Sequence, residues 1–140
     1  MSDLETIVPR VLLTKSFIDS HDRAIKTIAL ALRDGGCEVV LIDYETPDDV
    51  VDVAIDEDVD VIGASFMSGG QVAVTQAILT ALRAAGREDL PVVVGGTIRP
   101  FDVDDLEATG VRAIFRGGEK LERIVQTFRE LAAESRRQRA

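Results

Sequence analysis

The sequence predicts an α/β domain built on a doubly wound, five-stranded parallel sheet of order 2-1-3-4-5. Three observations lead there. Short β-branched runs alternate with longer helical patterns from end to end, which is how a parallel sheet covered on both faces reads. The helical stretches carry start and stop residues where crossovers should begin and end. No internal repeat, low-complexity stretch or linker divides the 140 residues, a length suited to one domain that buries about two thirds of its unfolded surface.

The first strand is expected over Arg10 to Thr14. A helix comes next over Asp22 to Arg33, with Ile25, Ile28, Ala29 and Leu32 on a 3.6-residue period and Gly35-Gly36 as its stop. Cys37 to Ile42 is the second strand. Thr46-Pro47 then opens a second helix, threonine as N-cap and proline in the first turn, that buries Val50, Val53 and Ala54. The third strand, Val59 to Ala64, leads into a helix from Gln71 to Ala85 that ends at Gly86. Pro91 to Gly95 is the fourth strand, Val103 to Ala108 a short acidic helix, and Val111 to Phe115 the fifth strand. The last helix, Glu119 to Ser135, sets Leu121, Ile124, Val125, Phe128 and Leu131 on one stripe, and the basic tail Ser135 to Ala140 is expected to fray. Right-handed crossovers between these strands give the flavodoxin-like order.

Charge and cysteine usage narrow the partners. A net charge of −9 argues against nucleic acid, which needs a concentrated basic face, and against an anionic membrane surface. Cys37 is the single cysteine, so no disulfide framework exists; it reads as a small core residue in a reducing compartment. The acidic N-terminus and the lack of a long apolar run predict a soluble, cytoplasmic protein.

In this topology the ligand crevice lies at the carboxyl ends of the first and third strands, whose connections leave in opposite directions. Two segments meet there. Asp19-Ser20-His21-Asp22-Arg23-Ala24 comes after the first strand, and His21 is the only histidine. An imidazole on such a loop could ligate the metal of a large cofactor, with Asp19 taking the proton of its other nitrogen. On that segment alone, a surface histidine beside a helix N-terminus is the simpler account, since one histidine cannot hold a metal by itself. Ser65-Phe66-Met67-Ser68-Gly69-Gly70 comes after the third strand, and Gly95-Gly96-Thr97 and Arg116-Gly117-Gly118 add small residues at the same edge. Glycines there leave room for a flat ligand or simply make tight turns; Ser68 reads first as a cap of the third helix. Phosphate-loop and dinucleotide fingerprints are missing, as are the acidic pair and the lysine of a receiver domain.

These residues resemble the cobalamin-binding domain of adenosylcobalamin-dependent acyl-CoA mutases, methylmalonyl-CoA mutase among them. The family pattern Asp-x-His-x-x-Gly, Ser-x-Leu, Gly-Gly stands here as Asp19-Ser20-His21-Asp22-Arg23-Ala24, Ser65-Phe66-Met67 and Gly95-Gly96. The likeness spans about Arg10 to Leu131. It implies that His21 is the lower axial ligand of cobalt, replacing the cofactor's own benzimidazole, whose nucleotide tail enters a groove in the protein. It implies that Asp19 holds the distal imidazole nitrogen and that Lys15 contacts Asp19. Ser20, Asp22, Arg23, Ala24, Ser65, Met67, Ser68, Gly69, Gly95, Gly96 and Gly117 would contact the cofactor. By the same resemblance the chain is a small subunit, active only with a large subunit that supplies the substrate-binding barrel. Four departures stand out: Ser20 and Ala24 where glycine is usual, Met67 for leucine, and Arg116-Gly117-Gly118-Glu119 for Gly-Pro-Gly. The alternatives are a stand-alone corrinoid carrier or sensor, and a corrin-free interaction domain in which Ser20 and Ala24 close the groove.

Overall fold

The computed structural model describes residues 8–67 and 69–139. Its strands are β1 (Arg10–Ser16), β2 (Glu38–Tyr44), β3 (Val61–Phe66), β4 (Val92–Gly96) and β5 (Ala113–Phe115), all parallel, in the order β2-β1-β3-β4-β5. The helices are α1 (Arg23–Asp34), α2 (Pro47–Asp56), α3 (Gln71–Ala84), α4 (Val103–Thr109) and α5 (Leu121–Arg139), with a 3₁₀ turn over Pro100–Asp102 before α4. The expected doubly wound architecture is the one found.

Strand periodicity divides the core into two layers. Leu12, Ile62, Val92 and Val94 face one side, where Val50 and Ala54 of α2, Ile78 and Leu82 of α3 and Leu106 of α4 cover them. Val11, Leu13, Val61 and Val93 face the other, under Ile25, Ala29 and Leu32 of α1 and Ile124 and Phe128 of α5. Gly63 points to this second side, where an added Cβ would lie 2.8 Å from the Phe128 ring. Any larger residue there would have to displace the Phe128 ring and the end of the Leu13 side chain. Cys37 is buried in this layer, and burial pushes its thiol pKa up, as suits an inert core residue. The second helix begins as expected: Pro47 fills its first turn, and the Asp49 carboxylate accepts the backbone N–H groups of Glu45 and Thr46, each at 3.0 Å. Those bonds hold the Asp49 carboxyl below its ordinary range.

Two expectations are corrected. The third strand starts at Val61 rather than Val59, because Asp60 is used otherwise: its N–H donates to the Arg10 carbonyl at 2.7 Å and its Oδ2 accepts the Arg10 N–H at 2.8 Å. The tail does not fray, since α5 continues to Arg139. Arg136 Nε donates to Asp60 Oδ1 at 2.9 Å, Arg139 bonds the same oxygen, and Arg136 also reaches the Val8 carbonyl at 3.2 Å. The last turn of the helix is thus stapled to a fully buried carboxylate at the amino edge of the sheet.

Candidate cofactor site

The site lies at the opposite, carboxyl edge, where β1 and β3 are neighbours and their connections diverge. The loop after β1 is built by backbone bonds: Phe17 N–H donates to the Tyr44 carbonyl at 2.9 Å and Asp19 N–H to the Ser16 carbonyl at 3.0 Å. Asp19, its side chain only 9% exposed, fixes the turn that presents His21. Its Oδ1 accepts the His21 backbone N–H at 2.8 Å, an Asx turn, and lies 3.0 Å from His21 Nδ1. In the tautomer whose Nδ1–H donates to that carboxylate, the neutral ring keeps a lone pair on Nε2. The imidazole itself is 69% exposed.

Lys15 stands behind this pair, buried, with Nζ donating to the Asp19 carbonyl at 2.5 Å and pairing with Asp43 Oδ1 at 3.2 Å. The lysine therefore meets Asp19 through its backbone, and the carboxylate of Asp43 takes the charge. Lys15 and Asp43 are register partners on β1 and β2. Tyr44, the next residue, is buried beneath the loop; burial and the charge of Asp19 push its phenol pKa up.

His21 opens onto a groove of about 690 Å³, a size ordinary for a small-molecule site. Of the residues expected to contact a cofactor, Ser20, His21, Asp22, Arg23, Ala24, Ser65, Met67, Gly95, Gly96 and Gly117 all line it. Neither Ser20 nor Ala24 closes it. Gly69 lines a smaller recess of about 410 Å³ instead, together with Asp19 and Tyr44. Ser68 lies outside the described residues, and the N-cap position of α3 belongs to Gly70. The groove wall also includes Leu13, Gly63, Val93, Phe115, Ile124 and Phe128, which the sequence pattern assigns to strands or core rather than to the site. Glycine at position 63, inside an otherwise apolar strand, is the one available signal. Phe115 and Phe128 stack with ring centroids 6.3 Å apart.

The glycine pair after β4 has unequal duties. Gly96 adopts φ +111°, and a Cβ there would lie 2.1 Å from the Phe66 carbonyl oxygen, which accepts the Thr97 N–H at 2.8 Å. Gly95 has φ outside the left-handed region and a milder limit, the Phe115 carbonyl oxygen at 3.2 Å. Gly96→Ala is accordingly expected to cost at least about 1–3 kcal/mol and to displace this rim, readable as a lowered Tm by thermal unfolding.

Among the described residues no group of three His, Cys, Asp or Glu side chains could hold a metal ion. His21 can therefore serve a metal only as one ligand to a complex whose other ligands arrive with it. Among the described residues, too, no helix is long and apolar enough to cross a membrane.

Residues 9–126 match the B12 binding domain family. The chain is 40% identical over 125 residues to the 2-hydroxyisobutanoyl-CoA mutase small subunit of Aquincola tertiaricarbonis, covering 89% of this chain and 92% of that one. It is 43% identical over 111 residues to a probable methylmalonyl-CoA mutase large subunit of Mycobacterium tuberculosis, matching 79% of this chain but only 15% of that longer protein. A cobalamin-binding protein from Desulfitobacterium hafniense has the same fold, with a TM-score of 0.74 at 17% identity over 89% of this chain and 59% of its own.

Proposed function

We propose, from the premise that this chain belongs to the B12-binding domain family, that it is the cobalamin-carrying small subunit of an acyl-CoA mutase, binding adenosylcobalamin through His21. The observation that carries the reading is the Asp19–His21 pair at the mouth of an open groove: a carboxylate holds one ring nitrogen and leaves the other as a metal ligand. A lone imidazole suits a corrinoid, which would bring the other ligands of its metal with it. When bound, adenosylcobalamin supplies the radical that a carbon-skeleton rearrangement needs.

The chain's own residues orient and hold. Asp19 fixes the tautomer and tilt of His21, and Lys15 ties the Asp19 backbone to β2 through Asp43. The apolar wall of Leu13, Val93, Phe115 and Phe128 gives the aromatic end of a nucleotide tail a dry surface, with Gly63, Gly95 and Gly96 admitting it closely. Ser65 adds a hydroxyl on the rim. The acyl-CoA barrel would come from a large subunit, so substrate choice resides there.

The test is a titration of the purified chain with adenosylcobalamin. A base-off, histidine-ligated absorption spectrum is expected from the chain alone, and acyl-CoA isomerisation only once a large mutase subunit is added; an unchanged base-on spectrum overturns the reading. Asp19→Ala is expected to weaken cobalamin binding by roughly 10- to 100-fold, measured by the same titration, because the imidazole loses its orienting partner.

A further inference from the structure

The charge within the groove runs against the charge of the chain. Acidic residues outnumber basic ones 25 to 16 overall, yet the formally charged residues lining the groove are Asp22, Arg23, Arg116 and Glu119. Both carboxylates are already neutralised from outside the groove, Asp22 by Lys26 at 2.8 Å and Glu119 by Arg123 at 2.8 Å. The guanidinium groups of Arg23 and Arg116 make no hydrogen bond or ion pair among the described residues. An otherwise largely apolar groove therefore carries two uncompensated positive charges. In the loop that carries Arg116, a Cβ added at Gly117 or Gly118 would meet nothing within 4 Å, so the backbone on this side of the groove is uncrowded.

We propose that Arg116 and Arg23 form an anion-binding end of this groove and grip the phosphate of the cofactor's nucleotide tail. The proposal rests on the cobalamin reading and adds the group recognised and the residues that recognise it. A guanidinium offers a planar fork of donors that matches phosphate oxygens, and both arginines are exposed and so reachable by a ligand in the groove. The two arginines come from different elements, the start of α1 and the loop after β5, so a phosphate held by both would clamp the tail between those elements. Arg116 is also where the sequence departs from the Gly-Pro-Gly turn of the family it resembles. That departure brings a positive charge to the groove as well as a change of turn.

The test compares two corrinoids that differ in the phosphate alone: cobinamide, which lacks it, and cobinamide phosphate. Neither has a benzimidazole, so His21 is the only base available to either, and its ligation reports binding by absorption. The wild-type chain is expected to bind cobinamide phosphate at least tenfold more tightly than cobinamide at low salt, with the advantage shrinking as ionic strength rises. The Arg23→Gln/Arg116→Gln double variant is expected to bind the two corrinoids with equal affinity, and Arg116→Lys in the wild-type background to keep part of the preference. Equal affinity of the wild type for both corrinoids overturns the proposal and leaves the cobalamin reading standing, as does a preference that survives in the double variant. Failure of the wild type to bind cobinamide phosphate also overturns the proposal, whereas the cobalamin reading stands or falls on the adenosylcobalamin titration.

Discussion

His21→Ala is expected to abolish the histidine-ligated spectrum of the bound corrinoid and to weaken binding by more than the roughly 10- to 100-fold typical of losing an outer partner such as Asp19. The imidazole is 69% exposed and, among the described residues, bonds Asp19 alone, so its removal opens no cavity. Stability should stay within about 0.5 kcal/mol of wild type, as for other exposed positions. That separation matters, because a loss of binding without a loss of Tm assigns the effect to coordination. Free imidazole added to the variant should restore the spectrum, since the site is open to solvent and Asp19 remains to orient the added ring. A variant that keeps the wild-type spectrum would show that another group, or the cofactor's own base, occupies the lower position.

Asp60→Ala should have the largest effect on folding. This carboxylate is fully buried and accepts from the Arg10 backbone N–H, from Arg136 and from Arg139. Its removal strands the Arg10 N–H and releases two guanidinium groups that shaped the end of α5. Breaking a buried ion pair from one side costs about 3–5 kcal/mol, and the lower figure applies here because the guanidiniums are partly in water. Chemical denaturation of Asp60→Ala and of a chain truncated after Ser135 should give similar losses, and combining the two should add little further, since both dismantle one network. Additive losses would mean that α5 is held at this end by something other than Asp60.

Much of this architecture is legible in the sequence, and the misses have a common cause. All five strands and the switch-point crevice come from local signals such as apolar runs, Gly35-Gly36 and Thr46-Pro47. Features that depend on partners distant in sequence leave no such mark. The basic tail looks unstructured because nothing near Arg136 explains it; its partner Asp60 is 76 residues away. The family pattern matches Lys15 to Asp19, yet its ion pair with Asp43 depends on the β1–β2 register, which no local pattern specifies. On the site side, the loop residues around His21 are visible as exceptions to strand and helix patterning. Leu13, Val93 and Phe128 are not, because a groove wall and a hydrophobic core use the same residue types.

The last helix has a consequence beyond its packing. Its 19 residues make a rod about 28 Å long, with Ile124 and Phe128 toward one end forming part of the ligand wall and Arg136 and Arg139 at the other moored to Asp60. One rigid beam thus spans the molecule from pole to pole. Loading the groove should slow amide deuterium uptake in the final turn, although no ligand atom comes near it. Cutting the mooring is expected, in return, to loosen the grip at the far pole, measured as weaker cobalamin binding by Asp60→Ala in the adenosylcobalamin titration.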